Sequence, residues 1–270
     1  MNELLTPSKE DLQVLKGLRL LDDDFMIVVF EQNIKATELL LKIILRKEGI
    51  KVLRVETQAE QKNPIVGGRS ITLDIYAEDS DGRAFDVEVQ RDDAGADPHR
   101  ARYHSSVLDS RMLKTKQSFK ELRDSYVIFI TENDVLGKGL PMYHINRRIE
   151  EISENFNDGS HIIYVNGAYK NDEDPVGRLM HDFRCTSAVD MFYDELAKSV
   201  RFFKETEGGQ SRMSKAMEDR IRRAEEETRI ETTVHLIKEI MESMKMTAEQ
   251  VMTMMNISDD DRTVMMKKIH

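Results

Sequence analysis

Cysteine occurs once in these 270 residues, at Cys185. That excludes an internal disulfide framework and a cysteine-based zinc cluster, and it fits a reducing compartment. Tryptophan is absent and aromatic residues make up only 6%. No run approaches the ~18–20 apolar residues that span a bilayer, so no membrane partner is expected. The opening MNELLTPSKEDLQVLKG has neither the basic start nor the apolar core of a signal peptide, and the expected location is the cytoplasm. No two histidines stand at i, i+4, which counts against a zinc hydrolase. Positive charge is also in deficit. A net charge of −10 excludes a protein that coats nucleic acid non-specifically, and leaves room for a local basic patch. What is present suits a soluble, helix-rich globular chain: 40% hydrophobic residues and 16 methionines. The length allows one large domain, with or without an appendage.

The most informative stretch is Ser70 to Arg91, SITLDIYAEDSDGRAFDVEVQR. Ile71, Leu73, Ile75 and Ala77 alternate with Thr72, Asp74, Tyr76 and Glu78; Phe85, Val87 and Val89 alternate with Asp86, Glu88 and Gln90. Period-two alternation predicts two half-buried strands, and Ser80-Asp81-Gly82 suits the turn of a hairpin. A three-residue loop gives paired residues the sum 162 and sets Asp74 opposite Glu88. A two-residue loop would send them to opposite faces, and only the even sum also buries the apolar sets together. Like charges facing each other across a sheet repel. A cation between them resolves this, and a carboxylate pair offers the hard oxygen donors that suit Mg²⁺ or Mn²⁺.

Asp74, then Glu88-x-Gln90, within LDIYAED and FDVEVQ, resembles the PD-(D/E)XK nuclease superfamily, in particular its transposase or recombination-promoting nuclease branch. DDDFMIVVF, RARYHSS, YVIFITENDVLGKGLP and DGSHIIYVNG extend the resemblance over roughly residues 20–205. It implies an α/β, restriction-endonuclease-like αβββαβ core with a mixed sheet flanked by helices. It implies Asp74 and Glu88 as ligands of Mg²⁺ or Mn²⁺, and Gln90 in the position of the family's lysine. Leu73 stands where the motif has proline. The superfamily's first core helix often contributes an acid, for which Glu38 is the first candidate and Asp22 the second. The Arg-x-x-Tyr-His signature implies Arg100 and Tyr103 near the phosphates.

From His99 to Arg123 there are seven Lys or Arg against two acids. Arg100, Arg102, Tyr103, Lys114 and Lys116 are the nucleic-acid candidates, with Arg69 a further loop arginine. A helix is expected from about 99 to 110, opened by Asp97-Pro98, with a second segment over 115–122. Earlier, Phe25, Val28, Val29, Ile34, Leu40 and Ile44 recur at helical spacing, with a break near Asn33 and Gly49 as the stop. Residues 51–57 predict a strand, followed by a loop containing Pro64, Gly67 and Gly68. SYVIFITEND predicts a strand buried on both faces, and HIIYVNG another. His181 is expected to pack or cap, with no partner His or Cys at metal spacing.

Two domains follow: a nuclease-like domain over 1–206 and an all-helical C-terminal extension over 207–270. Glu207 to Ser211 reads as a linker. Thr247 and Ser258 are expected to cap two short Met-rich helices, a module for docking or self-association. Two functions remain open. One is a Mg²⁺-dependent endonuclease acting on DNA. The other is an inactive nuclease fold working as an interaction module through its tail. A third oxygen ligand near Asp74 and Glu88 favours the first; a local Arg or Lys neutralising Glu88 favours the second.

Overall fold

The computed structural model describes residues 7–63 and 68–269, so Pro64 and Gly67 of the expected loop lie outside the described residues. Helix α1 (Lys9–Gly17) opens on Ser8, which exchanges two hydrogen bonds with Asp11. This is a capping box with Asp in the usual Glu position. Helices α2 (Asp23–Phe30) and α3 (Ile34–Leu45) are separated at Asn33, whose side chain accepts the Ala36 N–H. The stop after α3 is not Gly49. It is Arg46, at φ 52, whose N–H turns back to the Ile43 and Lys42 carbonyls. A left-handed cap there frees the chain to enter the sheet at Val52.

Strands β1 (Val52–Gln61), β2 (Ile71–Asp79) and β3 (Ala84–Gln90) form a meander. Helix α4 (Pro98–Met112) returns the chain to β4 (Ser125–Thr131). Then come the short β5 (Met142–Ile145), a minimal hairpin β6 (Arg148–Ile149) and β7 (Glu154–Asn155), and β8 (Ser160–Asn166). The main sheet has the order β1-β2-β3-β4-β8-β5. β3, β4 and β8 run parallel to one another; the other pairs are antiparallel. The order α3-β1-β2-β3-α4-β4 is the αβββαβ core of an α/β, restriction-endonuclease-like fold.

The β2–β3 turn carries the register. Gly82, at φ 75, donates to the Asp79 carbonyl, and Asp79 N–H donates to the Arg83 carbonyl. The loop therefore has three residues, and the pairs Ile75–Val87 and Ala77–Phe85 have the even sum. Buried Asp79 reinforces it, accepting the Asp81 and Arg83 N–H groups and the Arg83 Nε.

One expectation fails usefully. The polar face of β3 does not face water, whereas β2 keeps the half-buried alternation. β3 is buried on both faces from Ala84 to Val89, and β4 along all of its length. Phe25, Phe30, Leu40 and Ile44 of α2 and α3 are buried on the side of β1 and β2. Over the other face lies α4, whose Ala101, Val107 and Leu108 cluster with Val127, Phe129 and Tyr164.

Helices α5 (Pro175–Arg184) and α6 (Asp194–Glu205) follow, then α7 (Glu207–Met244), α8 (Ala248–Met254) and α9 (Asp259–Ile269). The chain divides into two units. One comprises the residues up to Lys62 with Ser70–Ser214; the other comprises Asn63–Arg69 with Lys215–His270. The expected linker at 207–211 is instead the first turn of α7. A Cβ at Gly209 would collide with the Phe202 carbonyl, so this glycine serves close approach rather than flexibility. In the second unit Val234 and Ile237 of α7 pack on Val251 and Met252 of α8 and Met265 of α9. Arg229 pairs with Asp261 at 3.0 Å. Met252 and Met265 of the Met-rich segment are thus covered within their own unit, while Met244 and Met254 are exposed. No helix among the described residues is long and apolar enough to cross a membrane.

Candidate active site

Past Ile75–Val87 the β2–β3 backbone ladder gives way to a side-chain clasp. Asp74 N–H donates to Glu88 Oε1 at 3.1 Å, and Val89 N–H donates to Asp74 Oδ2 at 3.1 Å. Each carboxylate is held by the opposite strand's backbone, which brings the two acids of the hairpin together. Gln58 of β1 adds a long 3.4 Å bond to Asp74 Oδ1.

The same face of β3 carries Asp86 and Gln90. Asp86 is fully buried. Its Oδ2 lies 2.8 Å from His104 Nδ1, and its Oδ1 has no hydrogen-bond partner among the described residues. Arg100 Nε donates to His104 Nε2 at 3.4 Å, so the imidazole proton sits on Nδ1 and points at Asp86. From the first turn of α4, Arg100 also donates to Glu88 Oε2 at 2.6 Å, to Gln90 Oε1 at 3.3 Å and to the Gly95 carbonyl at 3.2 Å. Gln90 Nε2 is 3.5 Å from Glu88 Oε2. A Cβ at Gly95 would press on the Gln90 amide, which would have to move aside.

Burial dominates the electrostatics. It pushes the Asp74 carboxyl up to about 7, with the Glu88 charge adding to it. It pushes Asp86 and Glu88 each up to about 8, and the Asp86 charge raises Glu88 further. His104 and Arg100 pull the other way on Glu88. Three buried or partly buried carboxyls thus face one fixed cation. Such a site favours a proton or a metal ion on its oxygens.

A family model described as PD-(D/E)XK nuclease family transposase matches residues 27–259. The chain belongs to that family. No curated protein and no solved structure matches it. Membership supports a nuclease, hence a hydrolase with a nucleic-acid substrate, in a transposase-associated role; PD-(D/E)XK nucleases generally use divalent metals.

The structure places the other expected residues unevenly around the family's motif. Glu38 is not brought to Asp74 and Glu88. Its carboxylate takes Lys42 Nζ at 2.7 Å and the Val52 N–H at 3.0 Å, tying α3 to the start of β1. Val52 pairs with Asp79, at the turn end of β2. Asp22 lies nearer: it takes Arg91 Nη1 at 2.9 Å, immediately after Gln90. Its neighbour Asp23 is close enough for its charge to raise Asp74. Arg100 points into the acids rather than outward. Arg102 is exposed on the next turn, and Tyr103 packs against the core cluster under α4. Lys114 and Lys116 lie beyond the far end of α4; Arg100 to Met112 spans about 18 Å of helix.

Asp86 and His104 went unassigned from sequence, yet signals existed. Asp86 shares the parity of Glu88, and His104 is four residues after Arg100. A second cluster, His181, Asp182 and Cys185, corrects the view that His181 has no cysteine nearby, since Cys185 Sγ is 3.4 Å from its Nδ1. It makes a poor metal site. Both Asp182 oxygens accept backbone N–H groups, from Phe192 and Tyr193, and burial pushes the Cys185 thiol up to about 11.

Proposed function

We propose that this chain is a Mg²⁺- or Mn²⁺-dependent endonuclease acting on DNA, with Asp74 and Glu88 as the metal ligands and Gln90 positioning water or the scissile phosphate. The observation that carries this is the reciprocal clasp: two acids held by backbone N–H groups of the opposing strand, with one glutamine beside them. The donor set fits a hard divalent cation, being carboxylate oxygens on a rigid sheet. Asp86, Glu88 and His104 can each bring one ligand atom within 4.8 Å of the others, so Asp86 would add an oxygen on the Glu88 side of the site. When bound, the metal would lower the pKa of a coordinated water and stabilise charge on the phosphoryl oxygens.

The chain's own groups supply the rest. Gln90 can donate to a phosphate oxygen or hold a water, though it cannot contribute the charge of a lysine. Arg100, partly exposed, can offer the second N–H of Nη2 to a phosphate while the first keeps Glu88 oriented. Arg102, Tyr103, Lys114 and Lys116 are proposed to hold the backbone of the nucleic acid.

The inactive-scaffold reading keeps one observation in its favour, the 2.6 Å pair between Arg100 and Glu88. Charge balance weighs against it. A single guanidinium offsets one of the three carboxyls, and His104 is already turned to Asp86. The test is nicking of supercoiled plasmid with Mg²⁺ or Mn²⁺ by the wild type, Asp74→Ala and Glu88→Ala, alongside Mn²⁺ binding. Nicking lost in both variants supports the nuclease. No nicking and no Mn²⁺ binding by the wild type would overturn it.

A further inference from the structure

Among the exposed large hydrophobic residues, Phe119 stands out at 89% exposure. A lone exposed apolar side chain is ordinary on a protein surface. Two features set this one apart. The first is rigidity. Phe119 opens a 3-10 turn (Phe119–Glu121) closed by a capping box: Ser118 N–H donates to Glu121 Oε1 at 2.8 Å, and Lys120 N–H donates to Ser118 Oγ at 3.3 Å. Gln117 braces the turn, accepting the Lys114 N–H at 2.6 Å and donating to Glu121 Oε2 at 3.1 Å. The ring is presented on a pinned loop.

The second feature is charge. Lys114, Lys116, Lys120 and Arg123 surround it in sequence, all exposed, and none has an ion-pair partner among the described residues. The segment's one glutamate, Glu121, is committed to Ser118 and Gln117. On a chain of net charge −10, exposed cations flanking an exposed aromatic residue, with no ion-pair partner among the described residues, are a departure with a chemical meaning. Phosphates take the cations, and a base takes the ring face.

We infer that the 113–124 turn is a single-strand platform, on which Phe119 stacks an unpaired nucleobase while the lysines hold the flanking phosphates. This rests on the nuclease reading and names its substrate more closely as DNA with a single-stranded or locally opened segment. A paired base in a duplex has its faces covered by its neighbours, so the ring contributes only where a base is unstacked.

The experiment is fluorescence anisotropy in EDTA, so that no catalysis is needed, with a labelled oligothymidylate of about 15 nucleotides and a duplex of equal length. Phe119→Ala should weaken oligothymidylate binding by roughly 5- to 150-fold, while duplex binding changes far less. Phe119→Trp should retain it. Replacing Lys114, Lys116 and Lys120 by alanine should reduce the slope of log K against log salt by about 2 on the single strand. The exposed ring makes loss of folding an implausible cause, and circular dichroism checks it. Oligothymidylate binding unchanged in Phe119→Ala would overturn the inference, as would equal weakening on duplex and single strand. If plasmid nicking persists in that case, the nuclease reading survives alone. Phe119-dependent binding without any nicking would instead support the platform and remove the nuclease.

Discussion

Asp182 and Asp86 are both carboxylates with no solvent exposure, and they are treated in opposite ways. Asp182 accepts the Phe192 N–H at 2.8 Å and the Tyr193 N–H at 2.9 Å, closing the approach to α6. Asp79 does the same for the β2–β3 turn. Asp86 has one oxygen on His104 and one with no hydrogen-bond partner among the described residues, beside Glu88, whose oxygens face Arg100 and the Asp74 N–H. The first arrangement satisfies a carboxylate with fixed backbone donors and serves the fold. The second leaves negative charge concentrated at low dielectric, which is costly for folding and useful to a cation.

The contrast can be broken by experiment. Asp182→Ala should have the largest effect on the fold, leaving two backbone N–H groups unpaired. The expected loss is about 4 kcal/mol, or about 10 °C in Tm, by thermal melts with or without metal. A loss below about 1 kcal/mol would mean that water replaces the carboxylate and the distinction fails. Glu88→Gln should act the other way round. In EDTA near neutral pH its stability should lie within about 1 kcal/mol of wild type or above it, while Mn²⁺ affinity and nicking fall roughly a hundredfold or more.

The pH dependence sharpens the same point. The Asp86 and Glu88 carboxyls are raised to about 8 from ordinary values of 3.8 and 4.5. Between those limits the folded chain holds protons that the unfolded chain has released, so these groups make stability fall as pH rises toward about 8. Melts in EDTA should show that decline. Asp86→Asn should flatten it, and Mn²⁺ should raise Tm more at the alkaline end. The smallest effect is expected of Gly95→Ala. The Gln90 amide can swing away, so stability should change by less than about 1 kcal/mol, while nicking drops because Gln90 is displaced. Unchanged nicking would remove Gln90 from the mechanism.

The hairpin was legible because its alternation is strict and its turn residues permit one parity. The capping box at Ser8 and the break at Asn33 were equally local. Tertiary contacts decided the rest. Nothing within residues 70–91 says that α4 roofs the polar face of β3, so Asp86 was given no role. Helical spacing could not choose between Glu38 and Asp22, because the choice depends on which end of α2 and α3 meets the strands. Gly208-Gly209 reads as a break, whereas the bare Cα of Gly209 answers the Phe202 carbonyl one turn back. The two short Met-rich helices and their caps were local signals, whereas the partner of their buried face, Val234 and Ile237 of α7, was settled by tertiary contact.

The four-residue ion network around Arg91 has a consequence for when the acidic site is assembled during synthesis. Arg19 and Arg91 each contact both Asp22 and Glu132, joining the start of α2 to the ends of β3 and β4. Asp23 is set beside Asp74 through residues more than a hundred positions apart. A growing chain on the ribosome that has made the whole Asp74–Gln90 hairpin still lacks Glu132, β4 and β8. The acids exist long before the arrangement does. In the proposed nuclease, the site would be complete only once the chain beyond Glu132 has been made and has folded.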